Sequence, residues 1–237
     1  MHRFVLAGVI LAFGATAARA LPPSNAKTLE HATDVLGELA AIPLKGIPPR
    51  LLADAQGVAI IPRVVKAGFV FGGRGGHGLV LARDKDGKWG DPVFVNLGGA
   101  SVGFQAGVEA TDVVLVFRTR KSLDRLLEGK GKVTLGVDAA VAAGPVGRTA
   151  AAGTDARLEA EVLTYSRSRG LFAGVSFDGA VIHADARSNA LFRRSAEDMK
   201  AAETLKAKLA EVGGERPARS PAVPPVLNPP VPVPGKP

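Results

Sequence analysis

Between Gly57 and Phe117 the chain sets short apolar runs between glycines and offers almost no helix-forming text. The runs are Val58 to Ile61, Phe69 to Phe71, Leu79 to Leu81, Val93 to Val95, Val102 to Phe104 and Val113 to Phe117, bounded by Gly, Pro and Asp. β-Branched and aromatic segments of this length, punctuated by residues that turn the chain, spell strands and tight connections. Strand-like text resumes at Val133–Val137, Leu158–Tyr165, Phe172–Phe177 and Val181–His183. Asp178-Gly179 reads as a hairpin turn between the last two, and Asp84-Lys-Asp-Gly87 as a similar turn earlier.

Helices frame and interrupt the sheet. Ser24 can cap a helix from about Asn25 to Ala41, with Leu29, Val35, Leu36 and Leu39 on one face. Its other face carries Lys27, Glu30, Asp34 and Glu38, an anionic surface unsuited to a lipid bilayer, so the helix reads as a packing element. Pro48 and Pro49 open a short turn through Leu51, Leu52 and Ala55. Arg120–Glu128 reads as a helix stopped by Gly129, and Ser195 with Asp198 resembles a capping box for a last helix ending at Gly213. The expected fold class is α+β: mainly antiparallel sheet curled toward a barrel, with helices before, within and after it.

Residues 1–20 have the form of an export signal: Met-His-Arg, the apolar run Phe4–Ala18, and Ala18 and Ala20 flanking Arg19. The expected mature chain starts near Leu21 as one domain over 21–213, followed by a proline-rich spacer over 214–237 that contains Pro221-Ala-Val-Pro224. No later segment offers ~18 consecutive apolar residues. The chain has no cysteine, which excludes disulfides and a lipid-modified Cys. Removing Arg3 and Arg19 lowers the formal charge from +8 to +6, a balance that favours anionic partners. The expected location is the periplasm or outside the cell.

Two motifs invite an enzymatic reading. Gly73, Gly75 and Gly78 spell G-x-G-x-x-G, but Leu79-Val-Leu continues as strand, so no helix N-terminus faces a pyrophosphate. The remaining readings are a glycine bulge, or a nest of N–H groups that holds a lipid phosphate with Arg74 and His77. Gly99-Ala-Ser101-Val-Gly103 spells a nucleophile elbow, with Asp178 and His183 following in hydrolase order. The text after Ser101 is again sheet rather than the helix an elbow requires, so close strand packing by small residues is the competing reading. The three histidines left after processing, His31, His77 and His183, without cysteine give no metal-ligand spacing, Asp84-Asp86-Gly87 lacks the later acid of a calcium loop, and no cofactor is expected.

The order Ala-x-Gly-Val-Ala-Ile-x-Pro (55–62), Lys66-Ala-Gly-Phe, Gly72-Gly73-x-Gly75, Trp89 with Pro92, Gly99-x-Ser101-x-Gly103-x-Gln105-x-Gly107 and Asp112 resembles the SYLF family, a lipid-binding domain also called the actin-binding domain of certain yeast SH3 proteins. Leu135-Gly-Val-Asp138, Gly144-Pro-Val-Gly-Arg148 and the stretch Tyr165 to Ser176 continue it. The family's Asn-x-x-Tyr-Tyr-Gly ending is replaced by Asn189 followed by Leu191-Phe192-Arg193-Arg194. Positively charged surfaces serve phosphoinositide and actin-filament binding in that family. The resemblance together with the placement of charge therefore puts the expected ligand contacts at Lys66, Arg74, Arg118, Arg120, Lys121, Arg148, Arg167 and Arg169.

From Arg118 to Lys132, six cations against two acids leave a surplus of +4. Each basic group near an anionic membrane contributes about 1 kcal/mol. The interleaved aromatics of a nucleic-acid platform are missing, so nucleic acid is not an expected partner. The expectation is an exported, non-enzymatic module that binds anionic phospholipid head groups, with actin a poor partner for an exported chain. The alternatives are a serine hydrolase using Ser101 and a structural envelope protein that positions the proline tail.

Overall fold

A computed structural model describes residues 24–41, 46–68, 71–102, 107–128, 131–145, 160–168, 171–175 and 177–214. Five helices and nine strands fall in the order α1 (Asn25–Ala41), α2 (Pro49–Ala53), β1 (Gly57–Gly68), β2 (Phe71–Ala82), β3 (Val93–Val102), β4 (Gly107–Phe117), α3 (Arg120–Leu127), β5 (Lys132–Thr134), β6 (Val141–Ala143), β7 (Val162–Ser168), β8 (Leu171–Gly174), β9 (Val181–Ala184), α4 (Ala186–Phe192) and α5 (Ala196–Val212) among these residues. The strands form one curled sheet ordered β5-β9-β3-β2-β1-β4-β7-β6, with β8 also paired to β7. Every pairing is antiparallel except β6 with β7.

Both faces of the central strands are covered, which is why Val58–Ile61 and Val113–Phe117 are unbroken apolar runs rather than alternating ones. One face carries Val58, Ile60, Leu79, Leu81, Val114 and Val116 against the inward stripes of α1 and α5. The other carries Ala59, Ile61, Val80, Val113, Leu115 and Phe117 against Leu123 and Leu126 of α3 and Ile182 of β9. α1 has the expected bounds, with Leu29, Ala32, Leu36 and Leu39 inward and Glu30, Asp34 and Glu38 outward, as a packing element requires. Ser195 accepts the Asp198 N–H at 3.1 Å and starts α5.

β1 holds an extra residue relative to both neighbours. Its register slips against β2 between Ile60 and Val65, and against β4 between Ile61 and Val64. At the slip Arg63 adopts φ 52, and its N–H is accepted by the Asp112 carboxylate at 2.9 Å. Gly78 lies beneath this bulge: a Cβ there would sit 2.4 Å from the Ile60 carbonyl oxygen and 2.6 Å from Ile61 Cα. The third glycine of the G-x-G-x-x-G run is thus fixed by a close backbone approach.

Three local expectations are corrected. Asp178-Gly179 does turn, with Gly179 at φ 73, but it does not join a hairpin: β8 pairs β7, whereas β9 pairs β3 and β5. A strong turn signal fixes the bend but not the partner, which here is chosen by non-local burial of Ile182. The strand text at 133–137 ends at Thr134, because Asp138 accepts the Thr134 N–H at 2.8 Å and curls the chain back through Gly136 at φ 85. The helix α4 was not anticipated.

Candidate functional site

The expected cations divide between opposite ends of the sheet. Lys66 on β1 stands opposite Arg74 on β2 and Glu109 on β4. Arg118, Arg120 and Lys121 follow the far end of β4, nine or more residues beyond Glu109, about 30 Å along the strand. Arg167 belongs to neither group. Its Nε donates to Asp112 at 2.7 Å, a second donor reaches the same carboxylate, and a third pairs with Glu38 of α1. With 17% of its side chain exposed, Arg167 ties β4 and β7 to the helix. Burial lowers its pKa, which Asp34 partly offsets. Arg148 and Arg169 lie outside the described residues.

At the Arg118 end the charge is largely answered within the chain. Arg118 donates to the Ala160 carbonyl at 3.5 Å, and Arg120 pairs with Asp124 at 3.1 Å and reaches the Arg83 carbonyl. Lys121, 72% exposed, stands 3.9 Å from Glu161, whose other oxygen accepts the Ser122 hydroxyl. At the Lys66 end, Arg74 lies over the Phe177 ring at 4.9 Å and donates to the Ala100 carbonyl.

The phosphate nest does not form. Gly73 stands opposite Ala67 and Ala100, and Gly75 opposite Val65 and Gly98, so both sit in an extended ladder whose successive N–H groups point to opposite sides. A nest needs consecutive N–H groups converging on one point. His77 is buried in the next turn of the pleat, its Nδ1 3.0 Å from Asn96 Oδ1 and its ring stacked on Phe94.

The hydrolase constellation does not assemble either. Ser101 lies in β3 opposite Gly72, with strand on both sides of it. His183 stands opposite Asn96, five residues away along β3, which places it about 17 Å from Ser101.

What the outer ends of β1 to β4 do form is a smooth face. Strand alternation puts Gly98, Gly75, Val65 and Ala110 in one row, with Ala100, Gly73 and Ala67 in the next, on the side of the sheet opposite Lys66 and Arg74. All but Gly98 are exposed, and Val65 retains 43% of its surface. The outer strands of this plate are about 14 Å apart, and no residue in these two rows is larger than valine. Among the described residues its glycines answer no demand: a Cβ at Gly73 would come no closer than 3.9 Å to another group, at Gly75 3.8 Å, and at Gly98 nothing lies within 4 Å. The signal in the sequence was a period of two, small at Val65 and Ala67, Gly73 and Gly75, Gly98 and Ala100, but it acquires meaning only once the register aligns the four strands.

The family model described as Ysc84, Las17-binding protein actin regulator, matches residues 98–220, just over half of the chain. The chain belongs to this family. Human SH3 domain-containing YSC84-like protein 1 is 40% identical over 166 residues, 68% of this chain and 48% of that protein. The Xenopus laevis counterpart is 38% identical over 189 residues, covering 77% of this chain and 56% of its own length. LAS seventeen-binding protein 3 of Saccharomyces cerevisiae is 46% identical over 138 residues, 57% of this chain and 30% of its own. The chain spans about half the length of the first of these relatives, and no solved structure matches it. The Ysc84 relatives correct one expectation. A partner list of anionic membrane surfaces with actin set aside is overturned by names that point to protein partners, an actin regulator and a Las17-binding protein. Charge and an export-like N-terminus had carried that list, and neither reports which macromolecule a surface fits.

Proposed function

We propose that this Ysc84-family chain is a non-enzymatic docking module that binds a protein partner through the outer end of β1 to β4. The observation that carries the reading is the smooth face around Gly73, Gly75 and Gly98. Glycine inside a strand lowers stability relative to a residue with a side chain. Bare backbone kept where a side chain has room suits a surface that another molecule approaches closely. Lys66 and Arg74 on the reverse face add positive charge to the same end. The 17 Å offset between Ser101 and His183 supports a binding rather than a hydrolytic role. Export is part of the proposal: secretion would leave a chain starting near Leu21, which N-terminal sequencing of the mature protein tests.

The experiment is co-sedimentation of the full chain with actin filaments and capture on an immobilised Las17 polypeptide, beside flotation with phosphatidylcholine vesicles with and without phosphatidylserine. Capture by filaments or polypeptide, abolished by Gly73→Glu or Gly98→Glu at unchanged thermal stability, is the expected result. Capture by anionic vesicles alone would replace the protein partner with lipid head groups, and capture by none of the three would refute the docking role.

A further inference from the structure

We propose that the corner between α4 and α5 is a second docking surface, built to take an acidic amphipathic segment of a protein partner. It uses none of the residues of the smooth sheet face, so the two readings stand or fall separately.

The corner is rigid, and its rigidity dictates what it displays. Asp185 accepts the N–H groups of Arg187 and Ser188 at 3.0 and 3.1 Å and starts α4. Asn189 grips the backbone of Phe94 in both directions, accepting its N–H at 2.7 Å and donating to its carbonyl at 3.0 Å. Phe192 is buried with its ring 5.7 Å from that of Phe94, and Asn25 of α1 donates to the Ser188 carbonyl at 2.9 Å. With Ser188 and Phe192 held inward, Leu191 cannot turn in without turning Phe192 out. It stays 53% exposed, one helical turn from Arg187.

The chain then bends through Arg193 and Arg194, where the Arg194 N–H donates to Leu191 at 3.0 Å and the Ser195 N–H to Phe192 at 3.1 Å. In α5 the inward positions Asp198, Ala202 and Leu205 fix the rotation and leave Met199 45% exposed. Four large apolar side chains are strongly exposed among the described residues, and two of them, Leu191 and Met199, lie on this one corner.

Charge accompanies these two side chains. Arg187, Arg193, Arg194 and Lys200 are exposed, and none makes an ion pair with an acid among the described residues. Elsewhere some cations are paired, Arg120 with Asp124, Arg125 with Asp138, Lys206 with Asp91 and Glu203, and Lys208 with Glu211, while Lys27, Arg50, Lys66, Lys85, Lys88 and Lys132 share the lack of an ion pair among the described residues. Two exposed apolar side chains in a stretch that carries Arg187, Arg193, Arg194 and Lys200 against the exposed acid Glu197 match a segment with an apolar stripe and a carboxylate face. Leu191 and Met199 then gain burial while the guanidinium groups meet carboxylates in charge-assisted bonds. Because the corner is already ordered, docking immobilises little of it.

The test uses a fluorescein-labelled synthetic helix with a leucine stripe and a glutamate face, and a peptide of the same composition in scrambled order. Anisotropy titration of the full chain should give binding to the patterned peptide that weakens in high salt. Leu191→Ser should lower affinity about tenfold, and the Arg193→Glu, Arg194→Glu double variant should lower it further and flatten the salt dependence. Lys121→Glu should leave it unchanged. The proposal is overturned if the scrambled peptide binds equally well, or if the double variant binds like the parent. It is also overturned if phosphatidylserine vesicles are captured through these arginines while the peptide is not.

Discussion

Replacing Asp112 with alanine tests the account of how the sheet is held to its covering helix. The carboxylate, 8% exposed, has two tasks: it accepts the N–H of Arg63 at the bulge, and it neutralises Arg167 between β4 and β7. Leaving the Arg63 N–H without an acceptor costs about 1–3 kcal/mol. Leaving a buried guanidinium without its carboxylate costs about 3–5 kcal/mol, but Arg167 keeps Glu38, which is half exposed, so only part of that applies. The two losses share one carboxylate and do not add fully, which puts Asp112→Ala at about 3 kcal/mol. For a domain of this size that lowers Tm by about 6–12 °C, read by circular dichroism together with urea unfolding. Asp112→Asn keeps an acceptor for Arg63 and removes only the charge, so it should recover about a third of the loss. Arg63→Gly should stabilise by about 1 kcal/mol, since glycine adopts φ 52 without a Cβ conflict. A loss below about 0.5 kcal/mol for Asp112→Ala would refute the bulge-and-bridge account.

Gly78→Ala should destabilise by about 1–3 kcal/mol because its Cβ meets backbone at 2.4 Å, whereas Gly98→Ala, facing open space, should be neutral or slightly stabilising in the same urea series. Ser101→Ala should leave any ester-probe turnover of the purified chain unchanged; a loss would restore the hydrolase reading. Burial would raise the pKa of Asp185, but the N–H and hydroxyl of Ser188, His77 and the Arg187 N–H outweigh it, so its carboxyl titrates below the usual range. A depressed folded pKa gives stability that is present above the unfolded value of about 3.9 and is lost as pH falls through the folded one. The stability gap between the parent and Asp185→Asn should therefore close on acidification below about pH 4, measured by thermal melts.

What the sequence revealed followed the range of the forces involved. α1 and α5 were legible to within a residue because caps and apolar spacing are local: Ser24, Ser195, and the stripe from Leu29 to Leu39. α4 escaped because it is short and turns just one large apolar side chain, Phe192, inward; its stability comes from Asn189 gripping a strand 95 residues earlier. The clustering of basic groups failed for the same reason. Arg167 reads as a surface cation until Asp112, 55 residues away, is brought opposite it. The smooth face was written in period two, yet its flatness depends on a register that the bulge at Arg63 resets.

The pairing of α1 with α5 joins the two ends of the described chain across one face of the sheet. A growing polypeptide can lay down all nine described strands and still lack the wall that covers Val58, Ile60, Leu79 and Val114, because that wall is completed only when residues 196–212 arrive. Closure of this layer accordingly waits until residues 196–212 have been made, since the contacts of α5 with α1 span most of the described sequence. Until then part of an apolar sheet face, covered by α1 alone, stays open to whatever chaperone meets the chain first.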